Sequence, residues 1–424
     1  MKKEAVLIGA GERGRESSGA YAIRFPEKLK FVAVAEPDDN KRERFAQQHG
    51  ISDEDCFPCY EALFEKDRLA PLCFNTTMDR KHLDSSIMAL EKGYHLFLEK
   101  PMATDPQSCL RIFSQALKSR LMVQVCHPLR YTGFYKKVKE LLDQGEIGEI
   151  VSFTMEENVC YWHYAHSFVR GNWARNDKSG PFILTKCCHD MDIAAWLSGS
   201  PVKKVSSIGS LRFFRGENAP EGAPERCTQG CPVEKECPFY APAYYLGENT
   251  GWPVGAISGD TSLKARKEAL EKSPYGRCVF RCGNNVADHQ LVNAEFPNGV
   301  MFNFAVRALS SYPYRSIRIV GTKGELRGHF EKGEIAITKF IPEYVWSYKP
   351  EIIEVKPDVG AHMGGDTGVI NHFLRCFEED DYEAMKSSLK IALEGHMLSF
   401  AAEEARTGSN ILSLKDFKSR FGIF

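Results

Sequence analysis

Over roughly the first 150 residues, short apolar runs alternate with stretches whose apolar positions recur at helical spacing. The runs are residues 5–8, 30–35, 72–74, 94–98 and 121–126. Between them come a charged stretch from Asp39 to Gln48, then Leu83, Ile87 and Leu90, then Leu110, Phe113 and Leu117. Strands buried on both faces lose the in–out alternation of an exposed sheet, and amphipathic helices between them supply the cover. The pattern predicts an α/β domain with a doubly wound parallel sheet over residues 1–128.

After Gly148 the texture changes. Residues 150–155, 204–210, 290–296, 301–306, 316–320 and 334–340 read as longer strands, and Pro297-Asn298-Gly299 between two of them is a hairpin signal. Consecutive strands joined by tight turns predict an α+β domain with a mostly antiparallel sheet over residues 129–424. Residues 215–252, rich in Pro, Gly and Cys, read as a long insertion, and residues 384–406 as a helix that packs back on the first domain.

Composition narrows the function classes. The 424 residues are too many for one small core, and 43% hydrophobic with 26% charged residues is ordinary for a globular protein. Basic residues number 55 against 56 acidic ones, so no global field draws the chain to nucleic acid or an anionic membrane. The first apolar run is too short for a signal peptide, and no run approaches roughly 18 apolar residues. A cytoplasmic protein is expected. In that reducing setting the 14 cysteines do not form a disulfide framework, and Cys73, Cys126 and Cys376 read as small buried hydrophobes.

The chemistry begins at Gly9-Ala10-Gly11-Glu12-Arg13-Gly14, which closes the first strand and opens a helix. Gly9, Gly11 and Gly14 allow a tight turn and bring backbone N–H groups against a pyrophosphate. Glu36 ends the second strand roughly twenty residues on, where an acid holds a ribose 2′-hydroxyl and repels a 2′-phosphate. NAD is therefore expected, while Arg13, Lys41 and Arg42 leave NADP open. Glu99-Lys100-Pro101 follows the fourth strand, which aims Lys100 into the crevice where ligands bind such sheets, beside a nicotinamide.

Together with Thr77-Met78-Asp79-Arg80-Lys81-His82, these motifs resemble the Gfo/Idh/MocA oxidoreductases, the group of glucose-fructose oxidoreductase and inositol dehydrogenase. The resemblance runs over nearly the whole chain. It implies a Rossmann domain with Thr77 and His82 beside the cofactor, and Lys100 as the active-site lysine. It also implies a C-terminal domain whose large open sheet is both substrate wall and homo-oligomer interface. Met78 and Asp79 depart from the T-P-N-x-x-H pattern. In the segment from Ser179 to Asp192, His189 matches the family's acid/base histidine, but Thr185 stands where an aspartate is common.

If that segment is helical, Lys186, His189 and Asp190 share a face, and Lys186 would hold His189 neutral and fit to accept a proton. The alternative is a core histidine bonded to Asp192. Arg130, His166, Arg170 and Asp190 are the expected substrate contacts, since polyhydroxylated ligands want hydrogen-bonding groups beside aromatic surface. Cys227, Cys231, Cys237 and Cys278 form a candidate structural zinc set, with an iron–sulfur cluster or free loop thiols as the alternatives.

The expected function is NAD(P)-dependent hydride transfer to or from a secondary alcohol of a sugar, sugar derivative or cyclic polyol. Redox-neutral glycoside cleavage through a transient keto-sugar and a non-catalytic dinucleotide-binding regulator are the alternatives.

Overall fold

The computed structural model describes residues 3–342 and 349–422. The apolar runs become six strands: β1 (Lys3–Ile8), β2 (Leu29–Ala35), β3 (Cys56–Phe57), β4 (Leu72–Asn75), β5 (His95–Leu98) and β6 (Val123–Val125). All pair in parallel, in the order β3-β2-β1-β4-β5-β6. Successive residues of β1 explain the continuous apolar run, because both faces are covered. Val6 and Ile8 pack with Leu63, Leu90 and Ile112, whereas Ala5 and Leu7 pack with Tyr21, Phe45 and Phe373. Phe373 belongs to the helix Gly365–Glu379, so the C-terminal segment closes one face of the N-terminal sheet. Chain order reverses at β1, and a crevice opens beyond the carboxyl ends of β1 and β4.

The second half builds a nine-stranded sheet from β7 (Ile150–Cys160), β8 (Lys204–Ser210), β9 (His289–Glu295), β10 (Met301–Ser310), β11 (Tyr314–Gly321), β12 (Gly324–His329), β13 (Glu334–Lys339), β14 (Glu351–Glu354) and β15 (Leu412–Ser413). Its order is β14-β13-β12-β11-β7-β10-β9-β8-β15. Within this sheet, among the described strands, only β7 and β10 pair in parallel. In β9, Gln290, Val292 and Ala294 face inward while Leu291 and Asn293 face solvent, the alternation of a sheet covered on one side. Gly299, at φ +84°, makes the expected hairpin turn between β9 and β10.

The insertion is longer than composition suggested. It takes up all the chain between β8 and β9, includes the helices Ala241–Tyr245 and Leu263–Lys272, and has its own small core of Cys227, Ala241, Tyr245, Val254, Ile257 and Leu270. The final long helix, Tyr382–Gly408, starts where the Asp381 carboxylate accepts the Ala384 N–H. It lies along the junction, touching β6 and the helix Pro106–Ser119 on one side and β8 and the helix Cys188–Ser198 on the other. His396 on this helix accepts the Met102 N–H at 2.8 Å. No described helix is long and apolar enough to cross a membrane.

This packing buries imidazoles. Burial holds His49, His166, His372 and His396 down at about 4 and pushes His127, His163 and His189 well below the ordinary histidine range. Between pH 6.5 and about 4 the unfolded chain therefore takes up protons that the folded chain refuses, and stability falls on acidification. Asp190 and Asp192, raised to about 6, and Glu331, raised to about 7, act the other way, because the folded chain protonates them first. The imidazoles outnumber the carboxyls, so the urea midpoint should be lower at about pH 5 than at about pH 7. Equal midpoints would show that the carboxyls cancel the effect.

Candidate active site

The glycine loop sits at the end of β1. A Cβ on Gly9 would lie 2.6 Å from the Thr76 carbonyl oxygen, and one on Gly14 would lie 2.2 Å from the Gly9 oxygen. Gly9 also has φ +89°. Both positions therefore require glycine for tight packing. Gly11 faces open space, which leaves its backbone accessible to a phosphate group. Glu36, at the end of β2, is 8% exposed; its Oε2 accepts the Ala10 N–H at 2.7 Å and its Oε1 the Asp38 N–H at 3.1 Å. A carboxylate has further lone pairs for a ribose hydroxyl. A cradle closed to side chains, with an acid at its far edge, fits a dinucleotide.

The basic residues near the loop are already engaged. Lys41 pairs with Asp38 at 3.7 Å, and Arg42 donates to the Glu36 carbonyl at 2.6 Å and to Asp39. Arg13 lies beneath the loop, where its guanidinium pairs with Glu99 at 2.8 Å and Asp366 at 2.7 Å. Arg13, which had left NADP open, and Glu99 thus spend their charge on each other. Asp366 also accepts the Ser17 hydroxyl at 3.0 Å, and Arg13 holds its carboxyl well below the usual carboxylate range.

Lys100 ends the opposite wall. Its Nζ donates to the Thr185 carbonyl at 2.7 Å, which brings the first domain's lysine to the segment that carries His189. His82 is fully buried and bridges the two loops of this wall, with Nδ1 2.7 Å from the Pro101 carbonyl oxygen and Nε2 3.0 Å from that of Thr77. It is a brace for the loop that bears Lys100. The Thr77 hydroxyl donates to Asn75 at 2.7 Å. Asp79 accepts the Trp173 indole N–H at 2.8 Å, and burial raises its carboxyl.

His189 is 4% exposed, and its Nδ1 is buried with no partner. The rings of His127 and His362 flank it, at centroid distances of 5.6 and 5.5 Å. Burial is the largest cause of its depressed pKa and the nearby Lys100 charge comes next. The expected agent, Lys186, points elsewhere and pairs with Glu157 at 3.4 Å. Glu157 in turn pairs with Arg315 at 2.7 Å, and Arg315 donates to Asp190 at 2.9 Å. Asp190, expected at the substrate, is fully buried in this chain of charges. Nor does Asp192 bond His189; it pairs with Arg130 at 2.8 Å.

Three further expectations shift for the same reason. Arg130 is 5% exposed and committed to Asp192. His166 Nδ1 lies 2.8 Å from the Tyr245 hydroxyl, and Arg170 donates to the carbonyls of Arg277 at 2.8 Å and Phe239 at 2.7 Å. His166 and Arg170 clasp the insertion and do not face an open site. Cys227, Cys231, Cys237 and Cys278 border one small pocket with Val233, Phe239 and Phe280. Among the described residues, however, no group of three or more His, Cys, Asp or Glu is placed to hold a metal ion. The zinc expectation is not met. Burial raises the thiols of Cys237 and Cys278, against the thiolate form a metal needs, and the Arg170 cation donates to Cys227 Sγ at 3.7 Å.

The sequence reading missed His362 and Asp366. They sit in Gly360-Ala361-His362-Met363-Gly364-Gly365-Asp366, whose glycines just before a helix were the available signal. His362 Nδ1 lies 2.7 Å from Asp366 Oδ1.

Comparison with known proteins agrees with this architecture. A family model described as "Oxidoreductase family, NAD-binding Rossmann fold" matches residues 3–127, and one described as "Oxidoreductase family, C-terminal alpha/beta domain" matches residues 139–387. YteT of Bacillus subtilis, named as an oxidoreductase, is 25% identical over 300 residues, which are 68% of each chain. Inositol 2-dehydrogenase of Salmonella typhimurium is 25% identical over 206 residues, 48% of this chain and 57% of that one. Among solved structures, a levoglucosan dehydrogenase in complex with NADH and levoglucosan superposes with a TM-score of 0.71 at 16% identity, covering 98% of this chain and 100% of the other. An inositol dehydrogenase homologue from Azotobacter vinelandii, complexed with NAD+, gives 0.68 at 15% identity and 97% of both chains. The two family models together span the glycine loop, the whole first sheet, all of the second sheet except its short last strand, and the segments bearing Lys100 and His189, and the chain belongs to the Gfo/Idh/MocA oxidoreductase family.

Proposed function

We propose that this protein is an NAD-dependent dehydrogenase acting on a secondary alcohol of a sugar or cyclic polyol. The observation that carries the reading is the meeting of a lysine from the first domain with a buried, neutral histidine from the second, next to a dinucleotide cradle. A bound nicotinamide supplies the hydride acceptor. Lys100 Nζ donates a hydrogen bond to the substrate hydroxyl and so eases loss of its proton. His189, kept neutral by burial and by the Lys100 charge, accepts that proton. His82, Asp79 and Trp173 hold the wall from which Lys100 projects.

The substrate class rests on an aromatic cluster within reach of the Lys100 charge and on the names of the relatives. Trp252, 43% exposed, lies with its ring 5.2 Å from Trp162 and 4.9 Å from His163, and His163 feels the charges of both Lys186 and Lys100. Ring faces of this kind suit the C–H surface of a sugar. The names of the levoglucosan and inositol dehydrogenases point the same way. Preference for NAD over NADP follows from Glu36, Asp38 and Asp39 at the ribose edge, with Lys41 and Arg42 already paired.

A screen of inositols, anhydro-sugars and free sugars with NAD+, read at the NADH band, tests the reaction, and no NADH from any of them would overturn it. With an active substrate, Lys100→Met and His189→Asn should each lower kcat by about 10²–10⁴-fold while NAD+ affinity stays within about twofold. Glu36→Ser should weaken NAD+ by about tenfold or more and leave NADP+ unchanged or tighter, measured by fluorescence titration.

We also propose that copies associate through the outer face of the large sheet. Ile208, Leu291 and Met301 are 74%, 50% and 56% exposed there, and Ile208 pairs directly with Leu291 across β8 and β9. Leu291→Asp should shift the mass seen by light scattering toward one chain. A mass unchanged by the substitution would count against this interface.

A further inference from the structure

The loop at 360–366 is built in an unusual way for one that carries only polar surface. His362 and Met363 both adopt left-handed backbone, at φ +49° and +51°, between Gly360 at +125° and Gly364 at +82°. Non-glycine residues avoid this region, and two in succession persist only where the surroundings hold them. Tight packing and a fixed carboxylate hold them here. Gly365 packs so tightly that a Cβ would lie 2.5 Å from the Pro128 carbonyl oxygen, and Asp366 is fixed by Arg13 and Ser17. The result is an imidazole set between a buried carboxylate and the buried ring of His189.

Resting on the dehydrogenase reading above, we propose that the Asp366–His362 pair is the second acid–base unit of this site, exchanging with solvent the proton that His189 takes from the substrate. Three features support it. The His189 Nδ1 is a buried polar atom without a partner, so the ring has no hydrogen-bonded neighbour at that atom to carry away a proton it gains. His362 is the flanking ring that reaches water, its side chain 33% exposed, whereas His127 on the other side is fully buried. Asp366 accepts from His362 Nδ1–H, which leaves Nε2 as the proton-accepting atom, the tautomer a relay requires.

The balance is simple. As the alcohol becomes a ketone, hydride leaves carbon for the oxidised nicotinamide and the hydroxyl proton goes to His189. That proton then moves to His362 and from there to water. Asp366 stays ionised throughout, because Arg13 holds it so. The charged and titratable groups facing His362 are Asp366 with Arg13 and Glu99 behind it, and His189 with Lys100 beyond it. Asp358 lies beside Gly364, and Arg130, in the turn packed under the loop, is turned to Asp192.

His362→Asn removes the imidazole but keeps a residue that tolerates left-handed backbone, and His362→Gly opens room for free imidazole. With the substrate found in the screen, His362→Asn should lower kcat by about tenfold or more, alter its pH profile and raise the solvent deuterium effect, with NAD+ affinity within about twofold. Added imidazole should restore turnover in His362→Gly and leave the wild type unchanged. Histidine-selective ¹⁵N spectra give a readout without turnover: His362 should show a protonated Nδ1 and a bare Nε2, a signal missing in His362→Asn. A variant with wild-type kcat and pH profile, the lack of imidazole rescue, or a neutral His362 whose proton sits on Nε2 with Nδ1 bare overturns the relay while leaving the dehydrogenase intact. A wild type that oxidises no polyol removes both.

Discussion

The Arg13 guanidinium ties together three segments far apart in the chain. One is the glycine loop it belongs to, one is the end of β5 through Glu99, and one is the helix Gly365–Glu379 through Asp366. That helix closes the second face of the N-terminal sheet, and the loop before it supplies His362. Glu99 and Asp366 are only 6% and 8% exposed, so without Arg13 they would be two buried anions with no counter-charge. Breaking a buried pair costs about 3–5 kcal/mol, and less here because the Arg13 side chain is 35% exposed. The same contact sets the floor of the cofactor cradle and the place of a proton-handling ring. A change at either end is therefore felt at the other.

What the sequence revealed was local. The glycine loop, Glu36 and Lys100 sit at strand ends, and position along a parallel strand dictates which side of the sheet its end faces. The two sheets were likewise legible, because a continuous apolar run and an in–out alternation are different patterns with one cause each. Pairing of charges was not legible. Lys186 stands one turn from His189 in sequence, yet Glu157 on β7 claims it, and Lys100, 89 positions earlier, supplies the field instead. Arg130, His166, Arg170 and Asp190 read as substrate contacts because polyhydroxylated ligands want hydrogen-bonding groups beside aromatic surface. Each is buried against a partner that no spacing rule links to it: Asp192, Tyr245, the Phe239 carbonyl and Arg315.

The cysteines show the same limit from the other direction. Sequence spacing brought four thiols toward one place, and the fold does gather them around one pocket. Convergence is not coordination. The pocket walls are apolar, burial raises the thiols of Cys237 and Cys278, and the charge that reaches Cys227 is a guanidinium. What the four share is a role in the packing that anchors the insertion to Arg170.

The electrostatics of the centre follow one rule. Cations at Lys100 and Arg315, together with burial, keep His189 neutral, while the neighbouring carboxylates are each spent on a guanidinium or an ammonium. Thr185 provides no carboxylate one turn before His189; its carbonyl receives Lys100. The carboxylate at hydrogen-bond distance from a ring that flanks His189 comes from Asp366, far along the chain and on the first domain's side of the crevice. A strongly depressed histidine is held in the neutral form a base needs, but it is a weak base and a poor place to keep a proton, since the desolvation that keeps it neutral also expels the proton it gains. A site built around such a ring needs a better-solvated neighbour, and the strained loop that positions His362 is the structural cost of providing one.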